Sequence, residues 1–233
     1  MKNINSNKFF FLISSNQIKF AALDENNKTF FEKKIFSNNE FLEGNFGLLK
    51  KFLDQSVISF EKKFKSPIED VSLIIDLNKF VTINVSTAQN LNYVSNENEN
   101  SSINFINIKD DVLKHMNGYD LIHMIIKKYI VNGKEYFSIP KQNLDINIFI
   151  ELQFIFLKND IYKDLRKIFS KYEITINKIL DYKYVDYYHA KKSGDLFDIT
   201  DKLINGYNEN EILFTKKVSK NLGFFEKFFN LFN

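Results

Sequence analysis

Apolar positions near the amino end come in three short bursts. Phe9–Ile13, Ile18–Leu23 and Thr29–Phe36 have strand length and strand composition. Ser14-Ser15-Asn16 and Asp24–Asn27 between them are turn formers, so the pattern predicts a three-strand meander. The period then changes. Leu42, Phe46, Leu49, Leu53, Val57, Phe60 and Phe64 recur at steps of three and four, which predicts one helix face over 41–65, stopped by Pro67. Val71–Ile75 and Phe80–Val85 return to strand-like runs, with Asn78-Lys79 as a hairpin turn.

Ser86 to Ser102 is polar and asparagine-rich and predicts a linker at a domain boundary. Ile103–Ile108 reads as a strand. Lys109-Asp110-Asp111 then opens a short helix carrying Val112, Leu113 and Met116, its aspartates at the positive end of the helix dipole and Gly118 at its end. Leu121–Val131 and Glu135–Ile139 flank Asn132-Gly133, a strong two-residue hairpin signal, and Pro140 stops the return strand. The near-continuous apolar run Asp145–Phe156 predicts a central strand. Asp160 suits the N-cap of a helix that buries Ile161, Leu165, Ile168 and Tyr172, and Ile174–Leu180 closes this second unit as a strand. From Asp181 to Thr215 the pattern is weaker: Ser193-Gly194 is a turn, and Leu196–Ile199 and Glu211–Phe214 are short strand candidates. No internal repeat is visible.

The carboxyl end carries the sharpest helical pattern. At about 100° per residue, Leu222, Phe224, Phe225, Phe228, Phe229, Leu231 and Phe232 share one side of a wheel. Glu226, Asn230 and Asn233 take the other side with Lys216, Lys220 and Lys227, and only Lys217 breaks the split. A phenylalanine-rich amphipathic helix approached by lysines has the signature of an in-plane membrane anchor. Its phenylalanines would insert, and Lys216, Lys217, Lys220 and Lys227 would meet anionic headgroups. The same stripe also suits a terminal helix docked on the protein's own core.

Composition narrows the chemistry. A hydrophobic fraction of 44% over 233 residues supports a real core, and a net charge of +3 is far from that of a dedicated nucleic-acid binder. With no cysteine there are no disulfides, thiolate metal sites or cysteine nucleophile. Met1–Phe20 lacks the apolar run and cleavage site of a signal peptide, and no stretch is long enough to span a bilayer. His115, His123 and His189 show no metal-ligand spacing and read as surface or strand-edge residues. The carboxylate pairs Asp110-Asp111 and Glu69-Asp70 sit at predicted element boundaries, where acidic residues cap helices and form turns. The seven glycines are scattered, so no phosphate-cradling loop is present. Asp181–Lys192 interleaves tyrosines and lysines in a way that could stack bases, but its two internal aspartates favour a half-buried element with tyrosines packed on one side. No catalytic, cofactor or metal residue is assigned.

In the middle of the chain Ile108-Lys109-Asp110-Asp111-Val112 precedes a strand carrying His123, Ile125, Tyr129 and Val131, followed by Pro140. This ordered set resembles the pattern of the bacterial cell-division protein FtsA family. Ile126 replaces its proline and Asn132 its aspartate. Asn147–Leu157, Asn159-Asp160, Ile161–Tyr172 and Ile174–Leu180 resemble the family's next strand–helix–strand steps. The resemblance implies an α+β chain: a partial actin-like 1A subdomain over 1–84, an SHS2-type 1C subdomain over 85–180, a return segment over 181–215 and a membrane-targeting helix over 216–233. The pilus-assembly protein PilM shares the subdomain plan; the tail favours FtsA.

Departures from the family shape the functional expectation. The turn Ile13-Ser14-Ser15-Asn16-Gln17 lacks the aspartate and glycine of the family's first phosphate loop, and Asp195-Leu196-Phe197-Asp198-Ile199-Thr200 lacks the glycine of the second. No length remains for subdomains 2A and 2B, the latter being where the family receives the tail of FtsZ. The resemblance therefore implies a non-enzymatic adaptor without cofactor. It would sit on the cytoplasmic face of the inner membrane, bound to anionic lipid. Its 1C-like part would bind division proteins or FtsA-like protomers, without nucleic acid and without direct FtsZ contact. The alternatives are a PilM-like soluble scaffold of pilus assembly and a degenerate actin-like ATPase.

Overall fold

The computed structural model describes residues 7–36, 46–91, 103–138, 146–192 and 194–214. Strands β1 (Lys8–Ser14), β2 (Gln17–Leu23) and β3 (Thr29–Phe36) form the expected antiparallel meander. Helix α1 (Gly47–Phe64) then crosses over, so that β4 (Asp70–Asp76) lies parallel to β1. Phe46, Leu49, Leu53, Val57 and Phe60 are buried, as the stripe requires, while Leu42 lies outside the described residues. The helix stops where Lys65 turns left-handed (φ 54°). A fifth strand, β9 (Thr175–Asp181), pairs parallel to β4 and completes the sheet order β3-β2-β1-β4-β9.

This sheet is covered on both faces. Phe11, Phe20 and Leu73 pack under α1 and under α3 (Asn159–Phe169). Phe10, Leu12 and Ile74 pack under α4 (Tyr182–His189) and α5 (Leu196–Ile204). A strand in the middle layer needs apolar side chains at successive positions, which is why Phe9–Ile13 is a continuous run. The Phe11 and Phe20 rings stack at 4.6 Å, and Phe60 meets Phe31 edge-on at 5.3 Å.

The second sheet is inserted between β4 and α3. It comprises β5 (Phe80–Leu91), β6 (Tyr119–Val131), β7 (Lys134–Tyr136) and β8 (Ile146–Lys158), all antiparallel in the order β5-β8-β6-β7. Helix α2 (Phe105–His115) covers one face, burying Ile148, Ile150, Leu152 and Phe154. On the other face Thr82, Asn84, Ser86 and Phe149 are exposed. The fold is mixed α/β, and the central position of β8 is as its apolar run predicts. The position 84/85 falls inside β5, which runs unbroken from one side of it to the other.

Several local expectations fail for identifiable reasons. Asn78-Lys79 is no hairpin turn: both edges of β4 are already occupied by β1 and β9, so β5 leaves for the other sheet. Ser86–Leu91 is strand, because β8 is long enough to pair the polar positions too. Residues 92–102 lie outside the described residues. Ile103–Ile108 is not a strand but the start of α2, whose N-cap Asn104 accepts the Asn107 N–H at 3.0 Å. Asp110 and Asp111 therefore sit mid-helix, with Asp111 accepting from Lys114 at 2.8 Å. The N-cap of α3 is Lys158, and Asp160 lies inside the first turn. The strand over 174–180 belongs to the first sheet, not to the second unit. Leu196–Ile199 is helical in α5, because Phe197, Thr200 and Leu203 must share its buried side. Glu211 makes an isolated bridge to Ile125 instead of starting a strand, and the return strand β7 is shorter than expected, with Pro140 outside the described residues.

Candidate functional site

The two sheets meet at a buried polar cluster built around His123. A bulge at Leu121/His123 shifts the β6 register and sets His123 opposite Ile155, away from α2. The side chain is 3% exposed, which corrects its placement as a surface or strand-edge residue. The Asp181 backbone N–H donates to Nε2 at 3.2 Å, so Nε2 is an acceptor and the ring proton sits on Nδ1, which donates to Glu211 Oε1 at 2.7 Å. The second Glu211 oxygen accepts from the Tyr184 hydroxyl at 2.5 Å, and Asn208 donates to that hydroxyl at 3.0 Å. Burial, and then the Glu211 charge, push the Tyr184 phenol well above its ordinary range. Backbone bonds support the cluster: Ile126 N–H donates to Asn210 O and Ile212 N–H to Met124 O, each at 2.8 Å.

This arrangement ties β6 of one sheet to β9 and α4 of the other through the carboxyl-terminal segment. Its chemistry is closed. Nε2 already accepts the Asp181 N–H, and the His123 and Glu211 side chains, 3% and 6% exposed, are shut from solvent. Asp181 caps α4 by accepting the Lys183 N–H at 3.3 Å, and burial raises its carboxyl pKa. Asp76, at the carboxyl end of β4, is raised mainly by burial, against the lowering effect of Lys183.

Beside the closed cluster lies an open groove of about 470 Å³ between α4 and the uncovered face of the second sheet. Thr82, Gln153, Phe137 and Tyr187 line it, and its charges are those of Lys127 and Lys183 against the Asp181 carboxyl. Phe137 is 74% and Tyr187 55% exposed. The Lys191 ammonium lies 3.9 Å from the Tyr187 ring centroid and donates to its hydroxyl, which lowers that phenol's pKa. The tyrosine–lysine segment thus forms helix α4, with Tyr184 buried and Tyr187 facing outward.

The strings corresponding to phosphate loops are committed to the fold. In the β1–β2 turn the Ser14 hydroxyl donates to Asn16 Oδ1 at 2.6 Å and accepts the Gln17 N–H at 3.1 Å. Asp195 accepts from the Thr29 hydroxyl at 2.8 Å, Asp198 pairs with Lys202 at 2.7 Å, and the Thr200 hydroxyl donates to Leu196 O at 2.8 Å. His189 lies 3.1 Å from Gly194 O, and His115 is exposed. Among the described residues no group of three His, Cys, Asp or Glu side chains could hold a metal. No described helix is long and apolar enough to cross a membrane. The lysines and apolar residues assigned to membrane contact, Lys216 through Phe232, lie outside the described residues. The sequence pattern did not join His123 to Glu211 or Tyr184, because His123 and Glu211 are 88 positions apart and no spacing rule links them.

No family model and no curated protein matches the sequence. Among solved structures, a PilM-PilN type IV pilus biogenesis complex is similar at a TM-score of 0.49 and 6% identity, over 80% of this chain and 50% of that one. The cytoplasmic domain of EpsL, an inner membrane component of the type II secretion system of Vibrio cholerae, gives 0.34 and 8%, over 76% and 56%. Marinitoga piezophila Argonaute with a 5' OH guide RNA gives 0.26 and 11%, over 73% and 27%. The chain spans about half the length of the first two.

Proposed function

We propose that this chain is a non-catalytic scaffold that holds a segment of a partner protein in the groove between α4 and the second sheet. The observation that carries the reading is the contrast at the seam. The His123–Glu211 pair is buried and partnered, while the neighbouring groove, which Tyr184 and Asp181 also line, is open, aromatic and carries Lys127 and Lys183. Its volume of about 470 Å³ suits a few side chains of a bound segment. Exposed aromatic walls supply anchoring area, and Lys127 and Lys183 favour a segment carrying carboxylates. Supporting this, the order β3-β2-β1-β4-β9 with a second sheet inserted before β9 fits the 1A-plus-1C plan of FtsA and PilM. Of these, the PilM-like scaffold is the reading we adopt, because it needs only the described body. The FtsA-like division adaptor depends on residues 216–233.

Selection from a displayed library of random linear peptides tests the groove. Enriched peptides should bind the wild-type chain and weaken by at least about tenfold with Lys183→Ala/Tyr187→Ala. Equal binding to both proteins, or micromolar binding of Mg-ATP by calorimetry, would overturn the reading. The membrane expectation for 216–233 is tested by flotation with anionic vesicles. Attachment lost on deleting those residues restores the division adaptor; no flotation of the full chain removes it.

A further inference from the structure

Edge strands are protected by charge, brevity or cover, because their free backbone groups template pairing with another strand. Among the described residues, three of the four sheet edges follow the rule. β3 carries Glu32, Lys33 and Lys34, β9 carries Lys178, and β7 is only three residues long. β5 departs from it. It runs twelve residues, FVTINVSTAQNL, without a charge or a proline, and it pairs only with β8 among the described residues. Val81 is 36% exposed, and Ile83 and Val85 are only partly buried against the α2 core, so the apolar row of that face ends unfinished at the edge.

We propose that the outer edge of β5 pairs antiparallel with β5 of a second copy about a two-fold axis through Val85, joining two four-stranded sheets into one. That register matches the residues in size. On the α2 side Val85 faces its own copy and Ile83 faces Thr87; on the uncovered side Thr82 faces Ala88 and Asn84 faces Ser86. Side chains of alternate positions stay on one face, so the row Val81, Ile83 and Val85 extends into the same row of the copy. Self-pairing brings like residues near each other, and only an uncharged strand does this without repulsion. Self-pairing of β3 about Lys33 would set that lysine against its own copy. The contact closes on itself, so it gives a dimer and no filament.

Analytical ultracentrifugation of the full chain tests this. Wild type should dimerise with concentration. Asn84→Lys/Ser86→Lys changes two exposed positions, so melting at a dilution where both proteins are monomeric should be little altered, while cross-strand repulsion weakens dimerisation at least about tenfold. Mixing that variant with Asn84→Glu/Ser86→Glu should restore a heterodimer. The chain has no cysteine, so oxidised Val85→Cys should give a disulfide-linked dimer where Lys34→Cys on β3 does not. A wild type that stays monomeric, association indifferent to the charge variants, or cross-linking at Lys34→Cys instead of Val85→Cys would overturn the proposal.

Discussion

The first sheet is buried on both faces, whereas the second is covered by α2 on one face and left largely open on the other. The difference separates frame from surface. In the frame, Phe10 and Phe11 point to opposite layers and both are essentially inaccessible. In β8, Phe154 is fully buried while Phe149, on the opposite face, is 49% exposed. Substitutions in the first sheet therefore test folding, and those on the open face of the second test recognition.

The largest expected effect breaks the frame. Phe20→Ala should lose about 3–5 kcal/mol in urea unfolding, because its ring stacks on Phe11 and meets Phe60 and Phe31. Phe149→Ala should change stability by about 0.5 kcal/mol. Equal losses would erase the distinction between the sheets. Next, His123→Ala strips partners from the buried Asp181 N–H and Glu211 Oε1. A loss of about 3 kcal/mol is expected, with faster hydrogen exchange at the Asp181 amide. An unchanged exchange rate would show that the seam does not depend on this side chain.

The smallest effect concerns Asp76, whose folded carboxyl pKa is raised by burial. A raised carboxyl pKa means the folded state holds its proton to higher pH than the unfolded chain. Stability from this group is greatest below the unfolded value of about 4 and falls as pH rises through the folded pKa. Asp76→Asn should raise the melting temperature at pH 7, and the gain should disappear in acid. A gain that persists in acid would assign it to packing instead of charge.

Legibility followed the range of the interactions. The meander, the helix stripe and the Asn132-Gly133 hairpin are local patterns, and each appears where the sequence predicts it. Asn132 takes φ 50° and Gly133 φ 76°, the left-handed pair that this turn demands. Ile103–Ile108 misled because a short apolar run fits either element, and the Asn104 cap decided for helix. The seam was invisible for a different reason. His123, Asp181, Tyr184 and Glu211 carry no mutual spacing, and the groove beside them is made by a helix and a sheet that are distant in sequence.

By itself, the sequence determined the meander, the α1 stripe and the Asn132-Gly133 hairpin, because local periodicity and turn chemistry encode them directly. It also determined that no glycine-rich phosphate loop is present. Only the tertiary structure decided that β4 and β5 part company, that β9 returns to the first sheet, and that His123 is a buried tie instead of a surface residue. Strand pairing is settled by which edges remain free after the other strands have docked, and a side chain's chemistry by the neighbours that folding brings to it.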